Sequence, residues 1–103
     1  MKRDEKPIKE EFVRYIRRTG TSLGINIPFE VIEVLELKEK ELVKVLIRKI
    51  ETGKSFEFVK HVRKTGTSLG INIPFEVIEV LELKENEIVR VIVEKAKGEK
   101  LNA

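Results

Sequence analysis

Two stretches of the chain join basic side chains to a hydroxyl-bearing glycine turn. Arg14, Arg17 and Arg18 lead into Thr19-Gly20-Thr21-Ser22, and Lys60, Arg63 and Lys64 lead into Thr65-Gly66-Thr67-Ser68. Neither residues 12–28 nor residues 58–74 contain an acid. A guanidinium group can clasp a phosphate or a guanine edge bidentately, while Thr, Ser and backbone N–H groups fix register on phosphates. The chemistry open to these residues in this pattern is the non-covalent binding of a polyanion. The plainer reading is a solvated basic face, since the chain carries 21 Lys and Arg against 18 Asp and Glu.

Catalytic readings find less support. Glu30 and Glu33 are spaced as paired carboxylates, but no nucleophile or metal set accompanies them. His61 is the sole His, aligns with Tyr15 in the repeat described below, and reads as a strand-surface residue. No Gly-Lys-Ser/Thr follows the glycines, so a nucleotide-binding P-loop is not expected. With no Cys, a disulfide or a thiolate metal site is excluded. Neither an enzyme nor a cofactor is expected.

The two basic stretches belong to a duplication. Residues 19–39 (TGTSLGINIPFEVIEVLELKE) recur unchanged as residues 65–85, and the likeness extends from Phe12/Phe58 to Lys49/Lys95. A unit of that size seldom buries enough apolar surface to stand alone. At 103 residues, 41% hydrophobic and 38% charged, the chain has room for one compact domain. The two copies are therefore expected to form one composite fold about a pseudo-two-fold axis. No apolar run reaches the length of a membrane helix and the polar N-terminus does not resemble a signal peptide, so the cytoplasm is the expected location. The absence of Gln and the abundance of Lys, Arg and Glu resemble thermophile composition.

Within one copy, residues 12–17 (FVRYIR) read as a strand and residues 19–22 as a turn in which Gly supplies φ > 0. Leu23, Ile25 and Ile27 alternate with Gly24 and Asn26, which predicts a second strand with one buried face. Pro28 suits a helix start, and Val31, Ile32 and Leu35 share a face with it at i, i+3, i+4, i+7 spacing. Glu30, Glu33, Glu36, Glu39 and Glu41 make this second half of each copy acidic. A basic strand-and-turn followed by an acidic segment can bring one face to a polyanion and keep the other in water.

Residues 42–50 (LVKVLIRKI) form the longest apolar strand. Val43, Val45 and Ile47 line one face, while Leu42, Leu46 and Ile50 line the other, as Ile88 and Ile92 do in the second copy. A strand apolar on both faces is expected to be covered on both sides, the second side by the chain's own helices; the sharper alternative is a docking surface for another chain. Residues 51–54 read as a hairpin turn into residues 55–63, so no flexible linker separates the copies. They are expected to interleave through shared strands into one closed sheet structure without free edges.

The recurring Gly-Thr-Ser-Leu-Gly-Ile-Asn-Ile-Pro, the short helix after it and Leu-Glu-Leu-Lys resemble the SpoVT-AbrB (AbrB/MazE-like) DNA-binding domain across most of both copies. The resemblance implies a mostly β fold with short helices, a swapped-hairpin β-barrel that two chains normally build together and that this chain would build as an intrachain pseudo-dimer. It implies DNA contacts from the first strand and its loop, at Arg17, Arg18, Thr21 and Ser22 and at Arg63, Lys64, Thr67 and Ser68, with Arg14 and Lys60 further up the same strands. Glu36 and Glu82, and then Lys40 and Asn86, stand where the family often has Gly. Asn accepts the left-handed region better than Lys or Glu, so a different geometry is expected at the helix exit and the following turn.

These readings divide the chain into a polar N-terminal extension (residues 1–11), a first repeat (12–53), a second repeat (54–97) and a short tail (98–103). The expected function is a transcriptional regulator that binds double-stranded DNA through two equivalent loops on one side of the barrel, at a pseudo-palindromic or two-lobed site. Further self-association is compatible with this. One alternative is an antitoxin that binds a toxin and its own promoter, for which residues 97–103 are expected to be too short to wrap a partner. The other is a structural or protein-binding module with no role on DNA.

Overall fold

Period-two alternation turns almost every apolar run of each copy into a strand. The computed structural model describes residues 8–96. Within them the order is β1 (Lys9–Tyr15), β2 (Arg17–Thr19), β3 (Ser22–Asn26), α1 (Phe29–Leu35) and β4 (Leu42–Lys49), then β5 (Ser55–His61), β6 (Arg63–Thr65), β7 (Ser68–Asn72), α2 (Phe75–Leu81) and β8 (Ile88–Lys95). Strand β1 begins at Lys9, so the last three residues of the polar extension lie in it. The extension's first seven residues and the 98–103 tail lie outside the described residues.

The strands form two four-stranded antiparallel sheets, β1-β8-β4-β5 (sheet A) and β2-β3-β7-β6 (sheet B). Each repeat's first strand pairs with the last strand of the other repeat, β1 with β8 and β5 with β4. The repeats also meet at the centre of each sheet, β4 against β8 and β3 against β7. Leu46 lies opposite Ile92 and Ile25 opposite Ile71, and the members of each pair occupy the same position in the two repeats. In an antiparallel pair such a match requires a two-fold axis normal to the sheet, so the pseudo-two-fold passes through both centres.

The core lies between the sheets. Val43, Val45 and Ile47 of β4, Val89, Val91 and Val93 of β8, and Ile25 and Ile71 of sheet B are buried there. Both helices follow the sequence reading. Pro28 and Pro74 precede them, Val31, Leu35, Val77 and Leu81 enter the core, and Leu37 and Leu83 are buried just beyond their ends. The other face of sheet A departs from expectation. The helices do not cover it, and Leu42 and Ile88 remain 40% and 39% exposed. The helices pack instead beside the edge strands, α1 near β1 and α2 near β5.

Between β1 and β2 the chain bends at buried Ile16, and between β5 and β6 at buried Val62. A turn of the opposite repeat clamps each bend. The Ile16 N–H donates to the Glu87 carbonyl (2.8 Å) and the Asn86 N–H to the Ile16 carbonyl (2.7 Å). Val62 makes the matching pair with Glu41 (2.8 Å) and Lys40 (2.7 Å). All four positions at which the resemblance calls for Gly keep a left-handed backbone: Glu36 (φ 54°), Lys40 (φ 74°), Glu82 (φ 55°) and Asn86 (φ 72°). The expected change of geometry does not occur, because the clamp and the helix exit hold these residues there.

Lys49 ties the repeats from inside. Its side chain is only 9% exposed, and its Nζ donates to the Glu82 carbonyl at the α2 exit (2.8 Å) and meets Glu87 Oε2 at 2.9 Å. Lys95 makes the equivalent contacts to the Glu36 carbonyl (3.4 Å) and Glu41 (3.2 Å), longer and more exposed.

Lys49→Met is expected to lower stability by about 2–3 kcal/mol, because it strands a half-buried carboxylate and a carbonyl. Lys95→Met is expected to cost about 1 kcal/mol or less at its more exposed site. Urea denaturation of the two variants checks this, and equal losses would contradict it. Lys40→Gly is expected to raise stability by about 0.5–1 kcal/mol by relieving the left-handed backbone, and Asn86→Gly to gain less, because Asn accepts that region; the same denaturation series compares them.

Candidate nucleic-acid interface

Strand alternation assigns the polar residues of sheet B to a single face. The pairs Arg17–Gly24, Thr19–Ser22, Gly24–Asn72, Asn26–Gly70, Arg63–Gly70 and Thr65–Ser68 stand side by side in the ladder. Their side chains share the outer face, because Ile25 and Ile71, one position away, point into the core. This face carries Arg, Thr, Ser, Asn and Gly and no acid. The helices pack chiefly against the edge strands of sheet A, α1 on β1 and α2 on β5.

The centre of the face is low and ordered. A Cβ added at Gly24 would lie 2.9 Å from the Ile71 carbonyl oxygen, so this close strand approach requires glycine. Asn26 and Asn72 flank the pseudo-two-fold. Thr19 Oγ1 donates to Asn72 Oδ1 (3.4 Å), and Thr65 Oγ1 to Asn26 Oδ1 (3.5 Å). Both asparagines went unnamed as site residues in the sequence. The signal was present, since each occupies the polar phase of the Leu-Gly-Ile-Asn-Ile alternation.

The expected site residues do not all fall on this face. Arg17 and Arg63 stand on it, exposed, on its two outer strands and close to its mid-line. Ser22 and Ser68 are half-buried on it beside the turns. Thr21 and Thr67 are the exposed second residues of two-residue hairpin loops, whose first residues, Gly20 (φ 66°) and Gly66 (φ 64°), supply the positive φ that such tight turns need. Arg18 and Lys64 alternate to the other side, at the sheet's rim. Arg18 is ion-paired there with Glu85 of the other repeat at 3.1 Å. Arg14 is half-buried at the bend, with its Nε donating to the Asn26 carbonyl at 3.0 Å. Lys60 holds the matching position on β5 and is also half-buried.

The two hairpin tips lie at opposite ends of sheet B rather than next to each other, because β3 and β7 run antiparallel across the axis. The register puts Ser22 and Ser68 six residue steps apart along the strands, about 20 Å at the usual rise. The molecule's longest dimension is 42 Å. The face is thus an acid-free plate with Arg17 on one outer strand and Arg63 on the other. It can bind anions and donate hydrogen bonds, and it holds no nucleophile–base pair. Among the described residues no group of three or more His, Asp or Glu side chains is placed to hold a metal ion.

No protein-family model matches the chain, and no curated protein does. Among solved structures the chain is similar to the solution structure of PHS018 from Pyrococcus horikoshii, with 22% identity, a TM-score of 0.66, and coverage of 91% of this chain and 99% of that one. The likeness extends over nearly the whole of both chains and shows a shared fold.

Proposed function

We propose that the chain is a duplex-DNA-binding transcriptional regulator built as a single-chain swapped-hairpin barrel of the SpoVT-AbrB type. Two observations support the barrel. Strand β1 continues through Ile16 into β2, and β5 through Val62 into β6, so the edge strands of one sheet run on into those of the other. Each repeat's first strand is paired by the opposite repeat's last.

One observation carries the DNA reading, namely the acid-free outer face of sheet B, with Arg17 and Arg63 on its opposite outer strands and Arg14 and Lys60 at the adjoining bends. Laid along a duplex, the basic edges would meet phosphates while the hydroxyl and amide groups between them fix register. The 20 Å between the hairpins is shorter than the ~34 Å helical repeat of B-DNA, so both would reach one side of the duplex within a turn. The acidic helix turns, with Glu30, Glu33, Glu76 and Glu79 exposed, belong to segments outside this face.

A protein-binding module is the second reading. The observation in its favour is the outer face of sheet A, where Val13, Tyr15, Leu42, Val59 and Ile88 are exposed. The termini that an antitoxin would use to hold a toxin lie mostly outside the described residues.

A gel-shift titration with generic duplex at low salt separates the readings, since the protein-binding module leaves the duplex unshifted. For the regulator, log Kobs is expected to fall with log[salt] with a slope of about −3 to −5, as for four or five neutralised phosphates. Arg17→Ala combined with Arg63→Ala is expected to weaken binding at moderate salt by roughly tenfold or more and to make the slope shallower by about two, with an unchanged circular-dichroism spectrum. A double variant that binds as the parent does would remove these residues from the site.

A further inference from the structure

The two edges of the sheet B face are not chemically equal. Arg17/Arg63, Thr19/Thr65, Thr21/Thr67, Ser22/Ser68 and Asn26/Asn72 are identical pairs. The differences near the face are confined to the limb that enters it: Arg14 against Lys60, Tyr15 against His61, Ile16 against Val62, and Arg18 against Lys64. The first repeat thus brings Arg14 and Arg17 to its edge of the face, and the second brings Lys60 and Arg63.

The structure makes that difference geometric. Arg14 spends one N–H, its Nε, on the Asn26 carbonyl at 3.0 Å, which fixes the guanidinium at the face while its terminal nitrogens stay available as donors. It lines a small recess of about 110 Å³ with Tyr15, Arg17 and Asn26. Arg18, turned to the other side of β2, is held at the rim by Glu85. Lys60 and Lys64 make no side-chain hydrogen bond or ion pair among the described residues, and each ends in a freely rotating ammonium group. A pre-oriented guanidinium reads the paired acceptors of guanine's major-groove edge, whereas an ammonium on a flexible stem acts as a point charge on phosphate.

We infer that the chain reads a DNA site with polarity: the first-repeat edge discriminates bases through Arg14, and the second-repeat edge is held by phosphate contacts alone. The inference rests on the DNA-binding reading above. It replaces the pseudo-palindromic site expected from the duplication with a non-palindromic one, in which a single half is specified. A fused chain permits this asymmetry, because its two halves mutate separately; identical chains paired about an exact two-fold cannot present it.

Selection of duplexes from a random pool at moderate salt tests the inference. The parent is expected to enrich a sequence with one fixed half containing guanine and one degenerate half. Lys60→Arg is expected to add a second fixed half in inverted orientation. Arg14→Lys is expected to reduce the preference for the selected duplex over a scrambled one by about tenfold, while its affinity for the scrambled duplex changes less than about threefold because the charge is kept. Should Arg14→Lys unfold, the specificity gained by Lys60→Arg decides alone. A palindromic sequence enriched by the parent, or retention of duplex with no sequence enriched, overturns the inference and leaves DNA binding intact. Failure to retain any duplex overturns both.

Discussion

Neither repeat can complete a sheet with its own strands, and most of the structure follows from that. Strand β1 finds its ladder partner in β8, and β5 finds its own in β4. The bend that redirects β1 into sheet B is held by backbone groups of Asn86 and Glu87, and the bend at Val62 by Lys40 and Glu41. Each basic limb is therefore aimed by a turn belonging to the other half. The left-handed backbone at Lys40 and Asn86 is the strain that this arrangement tolerates, a local penalty of about 1–2 kcal/mol for an L-residue that is offset by two short hydrogen bonds and a buried bend residue.

Alternation then sorts the charges. A period of two separates Arg17, on the open face of sheet B, from Arg18, which reaches round the rim to Glu85. Exposed ion pairs of this kind add little stability, so Arg18 is better understood as oriented than as anchored. Lys49 is the opposite case. It is buried, doubly bonded, and placed where a helix exit offers a carbonyl and a neighbouring turn offers a carboxylate. Similar side chains in one small protein thus stand on an open face or form a structural tie, and burial separates the two.

Much of this was legible in the sequence. The repeat, the Leu-Gly-Ile-Asn-Ile strand, the helix after each proline and the glycine turns all follow from local pattern, and local pattern is what short-range sterics and periodicity control. The bends at Ile16 and Val62 were not legible, because Phe-Val-Arg-Tyr-Ile-Arg reads as one unbroken strand until its partner changes from β8 to β3. Nor was the exposure of Leu42 and Ile88. An apolar pattern reports what could be buried, and helices of seven residues each, packed beside the edge strands, do not reach across sheet A. Asn26 and Asn72 became significant only when antiparallel pairing brought them to the axis from residues 46 apart.

The short turn between β4 and β5 has a consequence of its own. It is closed by the Lys49 N–H to the Lys54 carbonyl (2.9 Å) and the Gly53 N–H to the Lys49 carbonyl (2.7 Å). Because the two halves are nearly interchangeable, the segment that completes one molecule could equally be supplied by its neighbour, and molecules could in principle chain together by trading arms. The tight covalent corner keeps the home arm at a local concentration in the millimolar range or above, so trading would win only in very crowded solution or after that corner is opened.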